Sequence, residues 1–444
     1  MHRAASGERP RQGGGHVDAC CGGDTSAVPG VRGRDTCGRR FTVWCTACDW
    51  NVDPQDDPQK SRRGLDRVRR KVAQRYGEQL FAELGAAAGS RRNGRTAAGF
   101  VAYAIALAVH GVTVALAAAG LWLLVAGWGG FRMVPGLFLL VLAWSLRPRP
   151  NRLPKDARVL LRADAPELYA LIDEIAATMG TRGVDVVVVD DDANASVTQL
   201  GFRRRLLTVG LPLWEVLTPQ QRVALLGHEL GHFTHGDTRH GMVVGSAYYS
   251  LTTWHYYLSG IEQPNILEFL VNMVYLVPRG LITGVVILLD LLTAQASQRG
   301  EYLADAAAAR AGSTEAAAGL MDRLLAADSI MTTLNREANR RRMHGPSRTS
   351  APATEGLWEA LTAHMESIPA SEHERLRRVG ALRGHSVDAS HPPTHLRLRL
   401  LLESAPEPAS VTLDAARSDR VAGELSDVRA ALARDIVRDG FVNV

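Results

Sequence analysis

The first feature of the sequence is an absence of charge. Residues 97–131 contain no Asp, Glu, Lys or Arg, and residues 133–146 contain none either. A helix of a soluble protein exposes polar side chains at regular intervals, so uncharged stretches of this length exclude a wholly soluble protein. We interpret residues 97–147 as a helical hairpin that crosses a membrane.

The sequence also lacks an apolar segment near its start. Residues 1–90 contain no run of the kind that forms the core of a secretory signal peptide. Arginines instead flank the apolar block, with Arg95 before it and Arg147 after it. Because basic loops stay in the cytoplasm, we expect both flanks to be cytoplasmic and the turn at 127–130 to face outward. Few aromatic residues accompany the basic ones, so we expect a lipid bilayer and no nucleic acid as the partner.

Cysteine is scarce and confined to the region before the apolar block, where a cytoplasmic location disfavours disulfides. We predict a flexible region at 1–60 with a zinc-ribbon-like segment at 20–50, followed by a basic helical lead-in at 61–96. Residues 45–48 provide one Cys-x2-Cys pair, but a second pair of that spacing is absent, so a structural zinc and unbound thiols stay open as alternatives. The five cysteines are Cys20, Cys21, Cys37, Cys45 and Cys48.

Residues 148–402 have the composition of a soluble α+β domain with more helix than strand. Within it, residues 241–261 and 266–294 are weaker apolar stretches. They are candidates for two further membrane helices, although interfacial or buried helices would also fit. Residues 403–444 predict a helical tail. The predicted fold class is therefore a mostly helical α+β chain that passes the membrane several times.

A helix that carries metal-binding chemistry is predicted to begin at Thr218. Thr218, the proline after it and Gln221 form an N-cap, a first-turn proline and a capping box, and we expect about five helical turns from there. His228 and His232 on this helix are four residues apart and project from one face, so both can bind one zinc ion. Glu229 lies beside them and is placed to take a proton from a zinc-bound water.

The third ligand of such a zinc must come from elsewhere in the chain. The third histidine of the metzincin pattern is absent, because the position six residues after His232 holds Thr238. Glu301 on a later helix can complete the zinc instead. Asp305, one turn further along, can hold a ligand histidine by its other ring nitrogen.

The order HELGH, then apolar stretches, then EYLAD resembles the HtpX and CAAX prenyl protease family of membrane zinc metallopeptidases. The resemblance covers about residues 95–402. It implies a gluzincin-type zinc peptidase domain on the cytoplasmic side of the cell membrane, with Asp237 supporting the metal site. It also implies that His391 and Arg397 lie near the site and steady the oxyanion.

The same resemblance implies a substrate-binding edge strand. In the family, an Asn-Ala segment before the metal helix belongs to a strand beside the cleft, which holds a peptide by main-chain hydrogen bonds. The corresponding residues here are Asn194, Ala195, Ser196 and Val197.

Together these features predict a membrane-anchored zinc endopeptidase that cleaves unfolded or membrane proteins and peptides, with one catalytic zinc and the question of a second, structural zinc left open. A CAAX-type prenyl-protein protease is an alternative within the enzymes. A non-cleaving membrane scaffold with a structural zinc is an alternative of another class. Glu229 favours catalysis over the scaffold, because a closed structural zinc site needs no base beside its ligands.

Overall fold

A computed structural model describes residues 41–54, 75, 77–83, 97–149, 152–201, 203–234, 238–261, 264–344, 354–383 and 392–440. Within these ranges the chain is mostly helical and contains one four-stranded sheet. Several predicted site residues lie outside the described ranges: Cys20, Cys21, Cys37, Asp237 and His391.

Two helices over the uncharged stretches form the expected hairpin. They are α1 (Ala97–Ala126) and α2 (Met133–Leu146). Two glycines let the helices approach closely, because a Cβ at Gly120 would lie 2.8 Å from the carbonyl oxygen of Gly136. Helix α1 is long and apolar enough to cross a membrane, and α2 is a shorter apolar helix.

The sheet follows the hairpin and is wrapped by helices. Its strands are β1 (Arg158–Leu160), β2 (Val186–Asp190), β3 (Ala195–Leu200) and β4 (Arg204–Gly210), and helix α3 (Pro166–Thr178) lies between β1 and β2 in the chain. The strand order is β1-β2-β4-β3, with β2 and β4 parallel and the other pairs antiparallel. Strand β3 therefore stands at an edge of the sheet. Side chains such as Val187 and Leu207 point from the sheet into the main core against α3.

The predicted metal helix forms where the sequence places its start. It follows α4 (Leu211–Val216) and is α5 (Pro219–Gly231). The Thr218 hydroxyl accepts a hydrogen bond from the Gln221 amide at 3.3 Å, and the Gln221 side chain accepts one from the Thr218 amide at 3.0 Å. The helix ends at Gly231, which is shorter than the expected five turns. The cause is a tightened final turn, in which the amide and the hydroxyl of Thr234 both donate to the Gly231 carbonyl.

Two further helices connect the hairpin to the site. They are α6 (Thr238–Tyr257) and α7 (Ile266–Gly312). Helix α7 is continuous over 47 residues, so the predicted stretch 266–294 and the segment with Glu301 belong to one helix. Like α1, α7 is by itself long and apolar enough to cross a membrane. Buried side chains from α1, α6 and α7, including Ala106, Ala247 and Leu289, form a second core beside the main one.

The remaining helices complete the domain. The predicted tail beyond residue 403 packs on the main core through Val421, Leu432 and Ile436. The Glu424 carboxylate caps α3 by accepting the amide hydrogens of Glu167 at 2.7 Å and Leu168 at 2.9 Å. The elements are α8 (Thr314–Leu325), α9 (Ala327–His344), α10 (Leu357–Glu366), α11 (Ala370–Arg383), α12 (Thr394–Glu403), α13 (Ala415–Glu424) and α14 (Ser426–Asp439).

One described segment of the amino-terminal region, residues 41–54, docks on α11. The Trp44 indole donates a hydrogen bond to the Ser371 carbonyl at 3.2 Å, and Arg375 donates to the Val52 carbonyl at 2.8 Å. Cys45 is buried and Cys48 is exposed. Among the described residues neither belongs to a group of metal-ligand side chains, and the other three cysteines lie outside those residues.

Candidate metal centre

Three predicted ligands come together where α5 crosses α7. The ligand atoms of His228, His232 and Glu301 lie within 4.8 Å of one another. His228 Nε2 is 3.5 Å from one Glu301 oxygen, and His232 Nε2 is 3.7 Å from the other. No other group of three His, Cys, Asp or Glu side chains with this geometry occurs in the described part of the chain.

These three residues fit a zinc ion. Two imidazole nitrogens and one carboxylate are a zinc-binding donor set, and ligand atoms of a tetrahedral zinc with bonds of about 2.0–2.2 Å lie about 3.3–3.6 Å apart. The two measured separations, 3.5 and 3.7 Å, are close to that spacing. The His228 side chain is only 9% exposed, whereas that of His232 is 30% exposed. The cluster therefore opens toward solvent on its His232 side, where a fourth position would be accessible.

Small residues permit this close approach of the two helices. A Cβ at Gly227 would lie 2.6 Å from the Ala311 Cβ, and a Cβ at Gly231 would lie 3.0 Å from the Ala304 Cα. The glycines of GHELGH and the alanines within and after EYLAD thus form one interface in which the side chains on both helices are small. This packing brings the histidines of α5 to the carboxylate of α7.

Asp305 lies behind the first histidine, as the sequence predicts. Its Oδ1 is 3.1 Å from His228 Nδ1, the ring nitrogen that faces away from the ligand cluster. A hydrogen bond at that nitrogen fixes the tautomer in which Nε2 presents a lone pair to the metal. Both Glu301 and Asp305 are buried, at 5% and 2% exposure.

Arg397 on α12 holds the acidic residues in place. Its guanidinium donates two hydrogen bonds to Asp305, at 2.8 and 2.6 Å, and one of its nitrogens is 3.4 Å from a Glu301 oxygen. The side chain is 2% exposed. Arg397 therefore lies at the site, as the resemblance implies, but its guanidinium faces two carboxylates. This geometry favours a positioning role over the oxyanion role that the resemblance implies.

The charges of the cluster determine its protonation. Burial disfavours the imidazolium form of His228, but the carboxylates of Asp305 and Glu301 outweigh burial and raise the pKa of His228 to about 10. Burial also disfavours the charged guanidinium, yet the Asp305 carboxylate outweighs it and raises the pKa of Arg397 above its usual range. Metal ligation needs neutral imidazole, so a bound ion would take the place of the His228 proton.

Glu229, the predicted base, sits on the same helix between the two histidines. It is 6% exposed, and its charge contributes to the raised pKa of Arg397. The Glu229 carboxylate is therefore buried and close enough to interact electrostatically with Arg397, which also contacts Glu301.

The residues of the predicted substrate strand lie at the edge of the sheet, in and just before β3. Asn194 immediately precedes β3, whose outer side faces away from β4, and Ala195 and Val197 pack toward the main core. The Asn194 carbonyl accepts from the Gly210 amide at 2.8 Å, so Ser196, two residues on, is also hydrogen-bonded to β4. The register therefore directs the backbone groups of Ala195 and Val197 to the open edge.

One buried residue near the site carries no signal in the sequence. Leu80 is 2% exposed, but no motif or spacing marks it, because only the tertiary fold brings it to the domain. Tyr302 is also buried and lies within EYLAD, but the motif does not indicate what its hydroxyl contacts. His391 and Asp237, which the resemblance does mark, lie outside the described residues.

Comparisons with known proteins agree on one family. The family described as Peptidase family M48 matches residues 162–405, which is more than half of the chain. The Protease HtpX homolog of Pyrobaculum calidifontis is 28% identical over 243 residues, covering 53% of this chain and 67% of the relative. The Protease HtpX homolog of Pyrobaculum aerophilum is 27% identical over 245 residues, covering 54% and 67%.

A shorter match covers less of the molecule. The Protease HtpX homolog of Syntrophobacter fumaroxidans is 32% identical over 82 residues, which are 18% of this chain and 29% of the relative. No solved structure matches the chain at a significant level. The matched region of the family includes all three candidate ligands, Asp305 and Arg397.

Proposed function

The chain belongs to peptidase family M48, and from that premise we propose that it is a membrane-anchored zinc endopeptidase that cleaves unfolded or membrane proteins. Family membership identifies a metallopeptidase, which removes the non-cleaving scaffold as an alternative. The observation that carries the proposal is the cluster of His228, His232 and Glu301 beside the carboxylate of Glu229.

In this proposal the residues of the cluster have distinct tasks. His228, His232 and Glu301 would hold the zinc, which when bound supplies a Lewis acid for the scissile carbonyl and the attacking water. Glu229 accepts a proton from that water and passes it to the leaving amine. Asp305 accepts a hydrogen bond from His228 Nδ1 and keeps the ring oriented.

The test separates metal binding from proton transfer. The full chain is purified in detergent, and its zinc content is measured together with digestion of an unfolded casein-type substrate. His228→Ala, His232→Ala and Glu301→Ala should each lose zinc and activity. Glu229→Gln should keep zinc, because it is not a ligand, and lose activity. Full zinc occupancy in Glu301→Ala would refute the assignment of the third ligand.

The proposed substrates follow from the open edge of β3. A strand that binds main chain tolerates many side chains but needs a substrate that is locally unfolded. Ala195→Pro removes an amide on the open edge and should raise KM without loss of zinc. Ser196→Pro removes an amide that pairs with β4 and should instead destabilise the sheet.

Digests mapped by mass spectrometry should show several cuts in unfolded chains, and a single motif cut equally fast in folded chains would contradict strand addition. Preferential cleavage of a prenylated peptide over unfolded and folded chains would favour the CAAX-type alternative.

We further propose that the site faces the cytoplasm. Arginines such as Arg147 and Arg149 follow the hairpin, and basic flanks are retained on that side. A cysteine introduced at Gly129, in the turn between α1 and α2, should react with an impermeant thiol reagent in intact cells. A cysteine at the exposed Lys155 should not. The reverse pattern would invert the orientation.

A further inference from the structure

A helical segment from the amino-terminal region, residues 77–83, packs beside the metal centre. It lies outside the residues that match the peptidase family. Gly77 and Leu80 are its buried residues, and Leu80 is only 2% exposed. Burial of a leucine to this degree marks a fixed contact with the domain.

The segment contacts the helix that carries the third ligand. The Tyr302 hydroxyl, on the residue next to Glu301, donates a hydrogen bond to the Gly77 carbonyl at 3.3 Å. Tyr302 itself is 3% exposed. The contact thus fixes α7 at the turn from which the Glu301 carboxylate projects.

The segment also contacts the helix that carries Arg397. A Cβ at Gly77 would lie 3.0 Å from the Cδ of Pro393, which caps α12 four residues before Arg397. Phe81 lies under the guanidinium of Arg399, whose Cζ is 4.9 Å from the ring centre. The segment therefore bridges α12 and α7, the two helices joined at the site by Arg397 and Asp305.

We propose that residues 77–83 are a positioning element of the metal centre, an inference that rests on the proposed function. The ligand geometry depends on the spacing of α7 and α12, because Arg397 holds Asp305, and Asp305 holds His228. A segment that clamps both helices keeps that chain of contacts at its working distances.

The contacts favour positioning over an inhibitory cover. The cluster opens on the side of His232, a residue at the end of α5. Gly77 and Phe81, in contrast, contact Tyr302 on α7 and Pro393 and Arg399 at α12. The segment thus supports the ligand helices from the side of Tyr302 and Pro393.

The experiment uses the full chain in detergent, loaded with cobalt(II) in place of zinc. The d–d absorption of cobalt reports ligand geometry, and competition with a chelator reports affinity. Leu80→Ala removes the buried anchor, and Tyr302→Phe removes one hydrogen bond with little change of shape. Leu432→Ala is the matched control, because Leu432 is 1% exposed in the main core on α14.

We expect Leu80→Ala to weaken cobalt affinity about 10- to 100-fold and to alter the absorption spectrum, with a smaller change of the same kind in Tyr302→Phe. Leu432→Ala should lower the melting temperature and leave the spectrum unchanged. A wild-type spectrum and affinity in both Leu80→Ala and Tyr302→Phe would overturn the inference alone, as would higher peptidase activity at unchanged affinity. A wild-type chain that takes up no cobalt and no zinc would overturn the proposed function, and this inference with it.

Discussion

The two halves of helix α7 invert the usual rule of burial. In the first half apolar side chains are exposed, with Ile266 at 85%, Val274 at 70% and Leu281 at 67%. In the second half charged side chains are buried, with Glu301 at 5% and Asp305 at 2%. One continuous helix thus exposes apolar side chains along its first half and buries carboxylates in its second half.

Each departure has its own physical cause. Exposed leucines and valines over such a length fit a helix that faces lipid, and buried carboxylates require partners that neutralise them. Only seven residues separate position 294 from Glu301, which is about 10 Å of helix at 1.5 Å per residue. Glu301 therefore stands close to the end of the apolar stretch, and if that stretch spans a membrane as proposed, the site would lie near the membrane surface.

The largest expected effect comes from breaking the charge balance of the buried half. Arg397→Leu leaves Asp305 and Glu301 buried with only His228 as a counter-charge, so the free energy of unfolding should fall by about 3–5 kcal/mol. Arg340→Leu is the control, because Arg340 pairs with Glu337 on the surface at 60% side-chain exposure. That exposed pair should contribute at most about 1 kcal/mol. Denaturant unfolding in detergent measures both, and equal losses would mean that Arg397 is not the counter-charge of the site.

A slightly smaller effect should test whether the exposed half meets lipid. Leu281→Arg places a charge in the apolar stretch, where insertion costs about 2.5–3.5 kcal/mol at the membrane centre. Leu382→Arg is a matched control, since Leu382 on α11 is 65% exposed and Leu281 is 67% exposed. Thermal unfolding in lipid bilayers should show a loss of stability for Leu281→Arg only, and fractionation would not report it, because α1 would anchor either variant. Equal behaviour of the two variants would indicate that water, not lipid, surrounds this half of α7.

The sequence predicts the buried half of α7 better than its surroundings. His228, His232, Glu301 and Asp305 lie on helical repeats of four residues, and helical geometry converts that spacing into a shared face. The single long helix was not predicted, because Arg279 and Asp290 interrupt the apolar pattern and the predicted helix was ended with that pattern at residue 294. Helical hydrogen bonds continue through both positions, since the backbone does not depend on side-chain polarity.

The contacts between distant segments could not be predicted. The charge of Arg397 gives no indication of its partner, and only the fold brings α12 to Asp305. The docking of residues 41–54 and 77–83 likewise depends on surfaces that form after the domain folds. The capping box at Thr218, in contrast, is entirely local and forms as predicted.

Glycine substitutions should compare the packing of the two halves on one helix. A Cβ at Gly312 would lie 2.7 Å from the Ala224 amide nitrogen, so Gly312→Ala must displace α5 and should cost about 1–3 kcal/mol. A Cβ at Gly284, in the exposed half, would meet nothing within 4 Å. Gly284→Ala should therefore be neutral or stabilise the helix by about 0.5–1 kcal/mol. Thermal unfolding of both variants measures the difference, and a stable Gly312→Ala would contradict the tight crossing of α5 and α7.

The smallest expected effect concerns Asp190, a carboxylate whose main charged neighbours are other carboxylates, unlike Asp305, which is paired with Arg397. Asp190, at the end of β2, is half-buried, and burial together with the like charges of Asp191 and Asp192 raises the pKa of Asp190 to about 6. Below the ordinary pKa near 4, Asp190 is protonated in both the folded and the unfolded chain and costs no stability. As the pH rises through about 6, the buried carboxyl must ionise and the folded chain loses stability. Solvent screens a half-buried charge, so Asp190→Asn should stabilise the chain by about 1 kcal/mol at pH 7 and hardly at pH 4. Melting temperatures at both pH values measure this difference. A gain of equal size at both would show that the charge of Asp190 is not its cause.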